Sequence, residues 1–173
     1  MEDVPGGEQA EFVAFVRARQ HRLLRSAYLV CGDHHLAEDL LQGALVKLAL
    51  RWGRVRGGDP EAYLRTIMYR DAVSWWRRWR RENLTSAPPA MTGVDGSEDA
   101  STRVVFAEAL RRLTPRQRAV LVLRFLEDQT EARTAEVLGV SVGTVKSQTA
   151  VALKRLRELA PELKDLLTVG EGR

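Results

Sequence analysis

Apolar residues recur along almost the whole chain at helical spacing. The first run is Phe12, Phe15, Val16, Leu23, Ala27 and Val30, which predicts an amphipathic helix ended by Gly32-Asp33. A second run starts near Ala37 and passes through Leu40, Leu41, Leu45, Leu48 and Ala49 to about Trp52. Residues 53–58 then read as a basic, Gly-rich loop. The third helix has a clear start. Asp59 can cap it, Pro60 suits the first turn, and Glu61 favours the positive end of the helix dipole. It should run to about Arg81 with Leu64, Ile67, Met68 and Trp75 facing the core. Tyr69, Val73, Trp76 and several arginines are left on another face.

The periodicity stops at Asn83. Residues 83–101 are rich in Pro, Gly, Ser, Thr and acids, with little to bury, and read as a linker. Helical spacing returns at Val104 to Leu113. Thr114-Pro115-Arg116-Gln117 is a capping box that opens a helix through Ala119, Val120, Leu123 and Leu126. Thr130 can cap a further helix ending at Leu138 before Gly139. Ser141 can cap the last one, from Val142 to about Leu159. No strand alternation and no internal repeat is evident. The expected fold is all-α: two small helical domains, residues 8–82 and 102–164, joined by the linker 83–101.

Residues 130–156 carry the sharpest local signal. In a helix-turn-helix a small residue lets the helices cross and a turn residue takes a left-handed backbone. Ala135 and Gly139, four apart, supply both. Val137, Leu138, Val140 and Val145 can clamp the pair. The start of the second helix, Ser141-Val142-Gly143-Thr144-Val145-Lys146-Ser147-Gln148, offers hydroxyls, an amide and a cation to a major groove, with no acid to repel phosphate. An ordinary helical corner would need no such bias. The second signal is Trp75-Trp76-Arg77-Arg78-Trp79-Arg80-Arg81. Arginine binds phosphate and aromatic rings stack on unpaired bases, so this helix suits single-stranded or opening DNA. The bland reading of the same run is core tryptophans at a solvated helix end.

Charge adds a pattern rather than a total. The formal net charge is +4, distributed as +4 over residues 1–81, −4 over residues 82–101 and +4 over residues 102–173. Two mildly basic modules around an acidic strap suggest a polyanion partner. The single cysteine, Cys31, excludes an internal disulfide. Its neighbours His34 and His35, with His21 upstream, fit no standard zinc spacing, so no metal or other cofactor is expected. A Gly-rich phosphate loop, a carboxylate cluster for a metal and a nucleophile–base pair are all missing, and the protein is not expected to be an enzyme. With no long apolar run and no signal-like N-terminus, no membrane insertion and a cytoplasmic location are expected.

Taken together, the two modules resemble the extracytoplasmic-function sigma factors, the minimal members of the sigma-70 family. The resemblance covers Phe12–Arg81 and Val104–Leu159, in the family's order and spacing. Ala37-Glu38-Asp39-Leu40-Leu41-Gln42 resembles the segment that docks on RNA polymerase. Tyr63-Leu64-Arg65-Thr66-Ile67 onward resembles the −10 reading and melting helix. Leu113-Thr114-Pro115-Arg116-Gln117-Arg118 and the run from Glu136 to Ser147 resemble the −35 reading domain.

The resemblance implies a factor that binds core RNA polymerase at its clamp helices and flap, directs it to promoter DNA, and has an anti-sigma factor as a further candidate partner. It assigns Asp39, Leu40, Gln42 and Leu45 to polymerase. It assigns Arg65, Tyr69, Arg70, Ser74, Trp76, Arg77 and Arg78 to the −10 strand and its melting. Arg133, Ser141, Thr144, Lys146, Ser147 and Gln148 go to the −35 duplex. Within that last set, helical spacing puts Thr144, Ser147 and Gln148 at base edges and Lys146 at phosphate or a flanking guanine. Arg70 and Ser74 stand where many members carry Asn and Asp, and Gln148-Thr149 replaces a more usual basic-apolar pair. A helix-turn-helix regulator that never docks on polymerase remains the alternative.

Overall fold

The computed structural model describes residues 5–82 and 100–161. All regular elements among them are helical. Helix α1 spans Pro5–Cys31, α2 His34–Ala49, α3 Trp52–Val55 and α4 Pro60–Glu82. The second module holds α5 Ala100–Arg111, α6 Pro115–Leu121, a π-helical turn Val122–Leu126, α7 Glu131–Leu138 and α8 Val142–Leu159. The expected linker lies outside the described residues up to position 99; its last two positions already belong to α5.

The caps explain where the chain turns. Gly32 takes φ 79° and ends α1. Asp33, read from the sequence as part of that terminator, instead caps α2, its carboxylate accepting from the Leu36 N–H at 2.7 Å. The connection is therefore two residues long, and α2 starts three residues earlier than its apolar run suggests. Asp59 caps α4 by accepting from the Ala62 N–H at 2.8 Å. The segment 53–58, expected to be a loop, is preceded by Trp52 and begins as the short α3. Trp52 seats this helix against Phe12 and Phe15, with ring centroids 5.2 and 5.3 Å away.

In the second module Thr114 and Gln117 form the expected capping box. The helix that it opens does not run straight to Leu126. It widens at Val122 into a π turn that closes with the Glu127 N–H donating to the Val122 carbonyl at 3.0 Å.

The first module packs α1, α2 and α4 around Leu23, Ala27, Leu40, Ala44, Leu48, Leu64 and Met68, all buried. The second packs α6, α7 and α8 around Val120, Leu123, Val137, Val145 and Leu156. The two modules are not independent. Helices α1 and α4 lie against α6 and the π turn, and α4 also lies against α7, so one apolar cluster runs from Phe15 to Ala160.

That packing corrects the expected facing of α4. Leu64 and Met68 are core as expected, while Ile67 and Trp75 are only half-buried. Tyr69 and Trp76, placed on a non-core face, are 1% and 6% exposed. The helix has two buried sides, one turned to its own bundle and one to the second module.

Candidate nucleic-acid interface

The helix-turn-helix forms as its residues demand. Gly139 adopts φ 64° and ψ 42° at the end of α7, and the Val140 N–H returns to the Ala135 carbonyl at 3.0 Å. Ala135, Val145 and Val120 meet where the helices cross. Ser141 caps α8, its hydroxyl accepting from the Thr144 N–H at 3.1 Å and lying 2.9 Å from the Thr144 hydroxyl.

The outermost edge of α8 carries Val142, Gly143, Lys146 and Ser147, with Ser141 exposed beside them; Thr144 and Gln148 are half-buried. Lys146 lies 3.7 Å from Glu131, an exposed pair that solvent screens. Arg133, half-buried on α7, pairs with Glu136. Five of the six residues assigned to the duplex thus fall at the start of α8, and the sixth, Arg133, lies in the first turn of α7. The exposure also adds Val142 and Gly143, which the sequence reading passed over because neither carries a polar group.

The residues assigned to the −10 strand divide into two groups. Ser74 is half-buried, and Arg77 and Arg78 are exposed. The other four point into the junction between the modules. Arg65 donates through Nη2 to Glu61 at 2.8 Å and through Nε to Glu127. Tyr69 donates its hydroxyl to the other oxygen of Glu127 at 2.7 Å. Glu61 is shared further with Arg19 and Arg22 of α1.

Burial opposes the charge on Arg65, but Glu127 and Glu61 outweigh it and raise its pKa. Burial, reinforced by Glu127, holds the Tyr69 hydroxyl well above its usual pKa. Arg70 donates through Nε to the Val137 carbonyl at 3.0 Å and through Nη2 to the Glu136 carbonyl at 2.8 Å. These carbonyls belong to the last turn of α7, where a helix has acceptors without intrahelical donors and the negative end of its dipole. Trp76 sits under the Arg118 guanidinium, 5.3 Å from the ring centroid, and its buried Nε1 has no hydrogen-bond partner.

Glu127 is the residue that sequence reasoning missed. Nothing in Leu126-Glu127-Asp128-Gln129 marks it, because its partners lie some sixty positions earlier. Beyond this junction, Trp75 and Trp79 stack with centroids 6.4 Å apart, and Trp76 meets each of them edge-on at 5.1 Å. A cleft of about 530 Å³ opens beside them, lined by Val73, Trp76, Arg77, Arg81, Thr114, Pro115 and Arg116.

On α2, Asp39 and Gln42 are exposed, Leu45 is half-buried and Leu40 is buried at 9% exposure. Leu40 therefore supports the helix from within rather than facing outward. Val46 and Leu50 stand out at 60% and 82% exposure, on the same side as Asp39 and Gln42 by helical spacing. Two large apolar side chains thus stand in solvent beside the polar ones. Their exposure could not be read from the apolar pattern, since Val46 and Leu50 extend a run that reads as core.

Cys31 ends α1 buried, as a small core residue, and burial pushes its thiol up to about 11. His34 and His35 are exposed in the first turn of α2, where His34 stacks on Tyr28 at 4.2 Å. No helix among the described residues is long and apolar enough to cross a membrane.

Comparison with known proteins adds independent findings. Residues 15–82 match the sigma-70 region 2 family, and residues 103–156 match sigma-70, region 4. The chain is 42% identical over 154 residues to an RNA polymerase sigma-E factor of Streptomyces avermitilis, covering 88% of this chain and 86% of the relative. It is 41% identical to the RNA polymerase sigma-E factor of Streptomyces coelicolor, covering 88% and 87% of the two chains. Among solved structures, the sigma factor RpoE of Bartonella quintana, in complex with the anti-sigma factor NepR, superposes with a TM-score of 0.66. It is 26% identical, and the match covers 87% of this chain and 97% of that one.

Proposed function

The chain belongs to the sigma-70 family, and from that premise we propose that it is an RNA polymerase sigma factor whose two modules divide the promoter between them. The observation that carries this reading is the pairing, on one chain, of an exposed recognition helix with an arginine- and tryptophan-rich helix, each inside a segment matching its own sigma region. As an initiation factor it makes and breaks no bond; it positions polymerase, and this places it in the cytoplasm with the DNA.

The exposed edge of α8, with Ser141, Lys146 and Ser147 leading and Thr144, Gln148 and Arg133 flanking, serves the −35 duplex. Helix α4 serves the −10 strand: Arg77, Arg78 and Arg70 meet phosphate, and Tyr69 and Trp76 stack on bases once these are unpaired, each stack contributing about 1–3 kcal/mol. Asp39, Gln42, Val46 and Leu50 form the polymerase-facing side of α2, with Leu45 and Leu40 packed behind it. Residues 8–82 and 102–164 are the two domains. The solved neighbour, bound to an anti-sigma factor, supports a regulatory partner of that kind here.

Run-off transcription with Streptomyces core polymerase on a library of genomic promoters tests the reading. Promoter-specific transcripts that depend on this chain are expected. Binding to promoter duplex without recruitment of core polymerase in a pull-down would instead favour a regulator that acts alone.

A further inference from the structure

The exposed edge of α8 does not stop at Gln148. At about 100° per residue, Val151 and Lys154 fall within about 40° of Ser147 around the helix, with Ala150 beside them. All of these residues are exposed. Val151 stands out at 47% exposure, and neither it nor Ala150 belongs to a core cluster of the described residues. A β-branched apolar side chain thus sits in solvent one turn past the hydroxyl of Ser147.

Its surroundings are polar and cationic. Ser147 lies one turn before it, and exposed Lys154 and Arg155 follow within the next turn. From Val142 to Arg157, α8 carries no acidic residue. An apolar protein partner would have no use for that row of cations. The major groove of a duplex matches both features, because it sets one apolar group, the C5-methyl of thymine, between two lines of phosphate.

We propose that Val151, with Ala150 beside it, reads the methyl group of a thymine in the −35 duplex, and that Lys154 and Arg155 hold the phosphates next to it. The inference rests on the assignment of α8 to the −35 duplex made above and deepens it by naming a base.

The chemistry of Val151 selects for a methyl. Valine offers no donor and no acceptor, so an amino or carbonyl edge packed against it would lose water and gain no hydrogen bond. Its χ1 is held to one preferred rotamer in a helix, so little side-chain freedom is lost on contact. The small Ala150 leaves room for the base edge to approach. Along the axis Val151 stands about 6 Å beyond Ser147, close to two base-pair steps of about 3.4 Å. The two residues therefore address different base pairs, Ser147 through an acceptor oxygen and Val151 through shape.

Deoxyuridine tests this, because it lacks only the C5-methyl of thymidine and keeps the base pairing. A promoter found by run-off transcription would be made as duplexes in which each −35 thymine, on either strand, is replaced singly by deoxyuridine. Binding of holoenzyme formed with Streptomyces core would be followed by anisotropy for the unaltered chain, Val151→Ala and Lys154→Ala. With the unaltered chain one position should lose about fourfold in affinity, roughly 0.8 kcal/mol, the worth of one buried methyl. Val151→Ala should bind the thymine duplex about fourfold more weakly and show no further loss with deoxyuridine at that position. Lys154→Ala should weaken every duplex alike and keep the deoxyuridine penalty. Alanine replaces an exposed β-branched residue with the best helix former, so the fold is retained, as far-ultraviolet circular dichroism would verify. No sensitive position, a penalty that Val151→Ala leaves intact, or one that Lys154→Ala removes overturns the methyl reading. Failure of the sigma reading shows separately, as absence of core-dependent transcription with the unaltered chain.

Discussion

On α8, Ser141, Lys146 and Ser147 stand in solvent; on α4, Arg65, Tyr69 and Trp76 lie between two modules. Both helices follow clear caps, both carry cations, and both belong to segments matching DNA-reading sigma regions. On the proposed reading, the difference lies in what their targets require. A duplex already displays its groove edges, and a helix that reads them has no reason to be hidden. An unpaired strand exists only after opening, and a helix with bare aromatic rings and arginines would otherwise offer an exposed sticky face. Here Glu127 covers Arg65 and Tyr69, and Arg118 covers Trp76.

The largest expected effect comes from breaking the covered side at its charged centre. Arg65→Met leaves Glu127 buried without its cation, and losing one partner of a buried pair costs about 3–5 kcal/mol. Thermal denaturation should show a clear fall in melting temperature, and Arg65→Met combined with Glu127→Met should recover most of it. A double variant no more stable than Arg65→Met would mean that Glu61, rather than Glu127, is the partner that matters.

The next effect is a pH dependence on the same side of the molecule. Cys31, buried near Arg118 where α1 meets the second module, has its thiol raised from 9.0 to about 11 by burial. The folded pKa is above the unfolded one, so this contribution is fully present below pH 9 and is lost as pH rises toward 11. A rise of that size corresponds to about 3 kcal/mol at most. Comparing the chain with Cys31→Ala isolates the group, since other titrations are common to both. The difference in stability between the two should shrink across pH 9 to 11, as followed by urea denaturation. A difference that stays constant through that window would remove the thiol from the account.

A smaller effect should appear on the exposed side of α2. Val46→Glu with Leu50→Glu places charge on two exposed apolar positions. Melting temperature should hold within about 0.5 kcal/mol of stability, as for surface substitutions generally. Affinity for core polymerase should drop about tenfold, roughly 1.4 kcal/mol. Unaltered core binding would move the polymerase contact off this side of the helix.

The contrast between α8 and α4 also marks what a sequence reveals. Thr114, Thr130, Ser141 and Asp59 were legible as caps because each acts on a backbone N–H three residues away. Gly139 was legible because only a left-handed residue closes that turn. The covered side of α4 was not. Periodicity identifies a face that avoids water but not the element that shields it. The shields here are Arg118, Glu127 and the carbonyls of Glu136 and Val137, all supplied long after α4 in the chain. The π turn at Val122, which precedes Glu127, likewise leaves no mark in an apolar run that reads as continuous helix.

The smallest expected effect sharpens the open side of the comparison. Lys146 is exposed, and its pairing with Glu131 at 3.7 Å is loose enough that losing it should change stability by less than about 0.5 kcal/mol. On the proposed reading its charge acts on DNA instead. If it meets phosphate, Lys146→Ala weakens all −35 sequences alike and lowers the salt slope of binding by about one, whereas a residue at a base edge would relax preference at one position. Thr144 bears on the same choice: its hydroxyl lies against Ser141 in the helix cap, while the Ser147 hydroxyl donates to the Thr144 carbonyl at 3.0 Å and keeps its oxygen as an acceptor on the exposed edge. Binding of holoenzyme to promoter variants over a range of salt concentrations would separate these outcomes. A changed −35 preference in Lys146→Ala, with the salt slope intact, would turn the groove-facing edge of α8 from Thr144 and Gln148 toward Gly143 and Lys146.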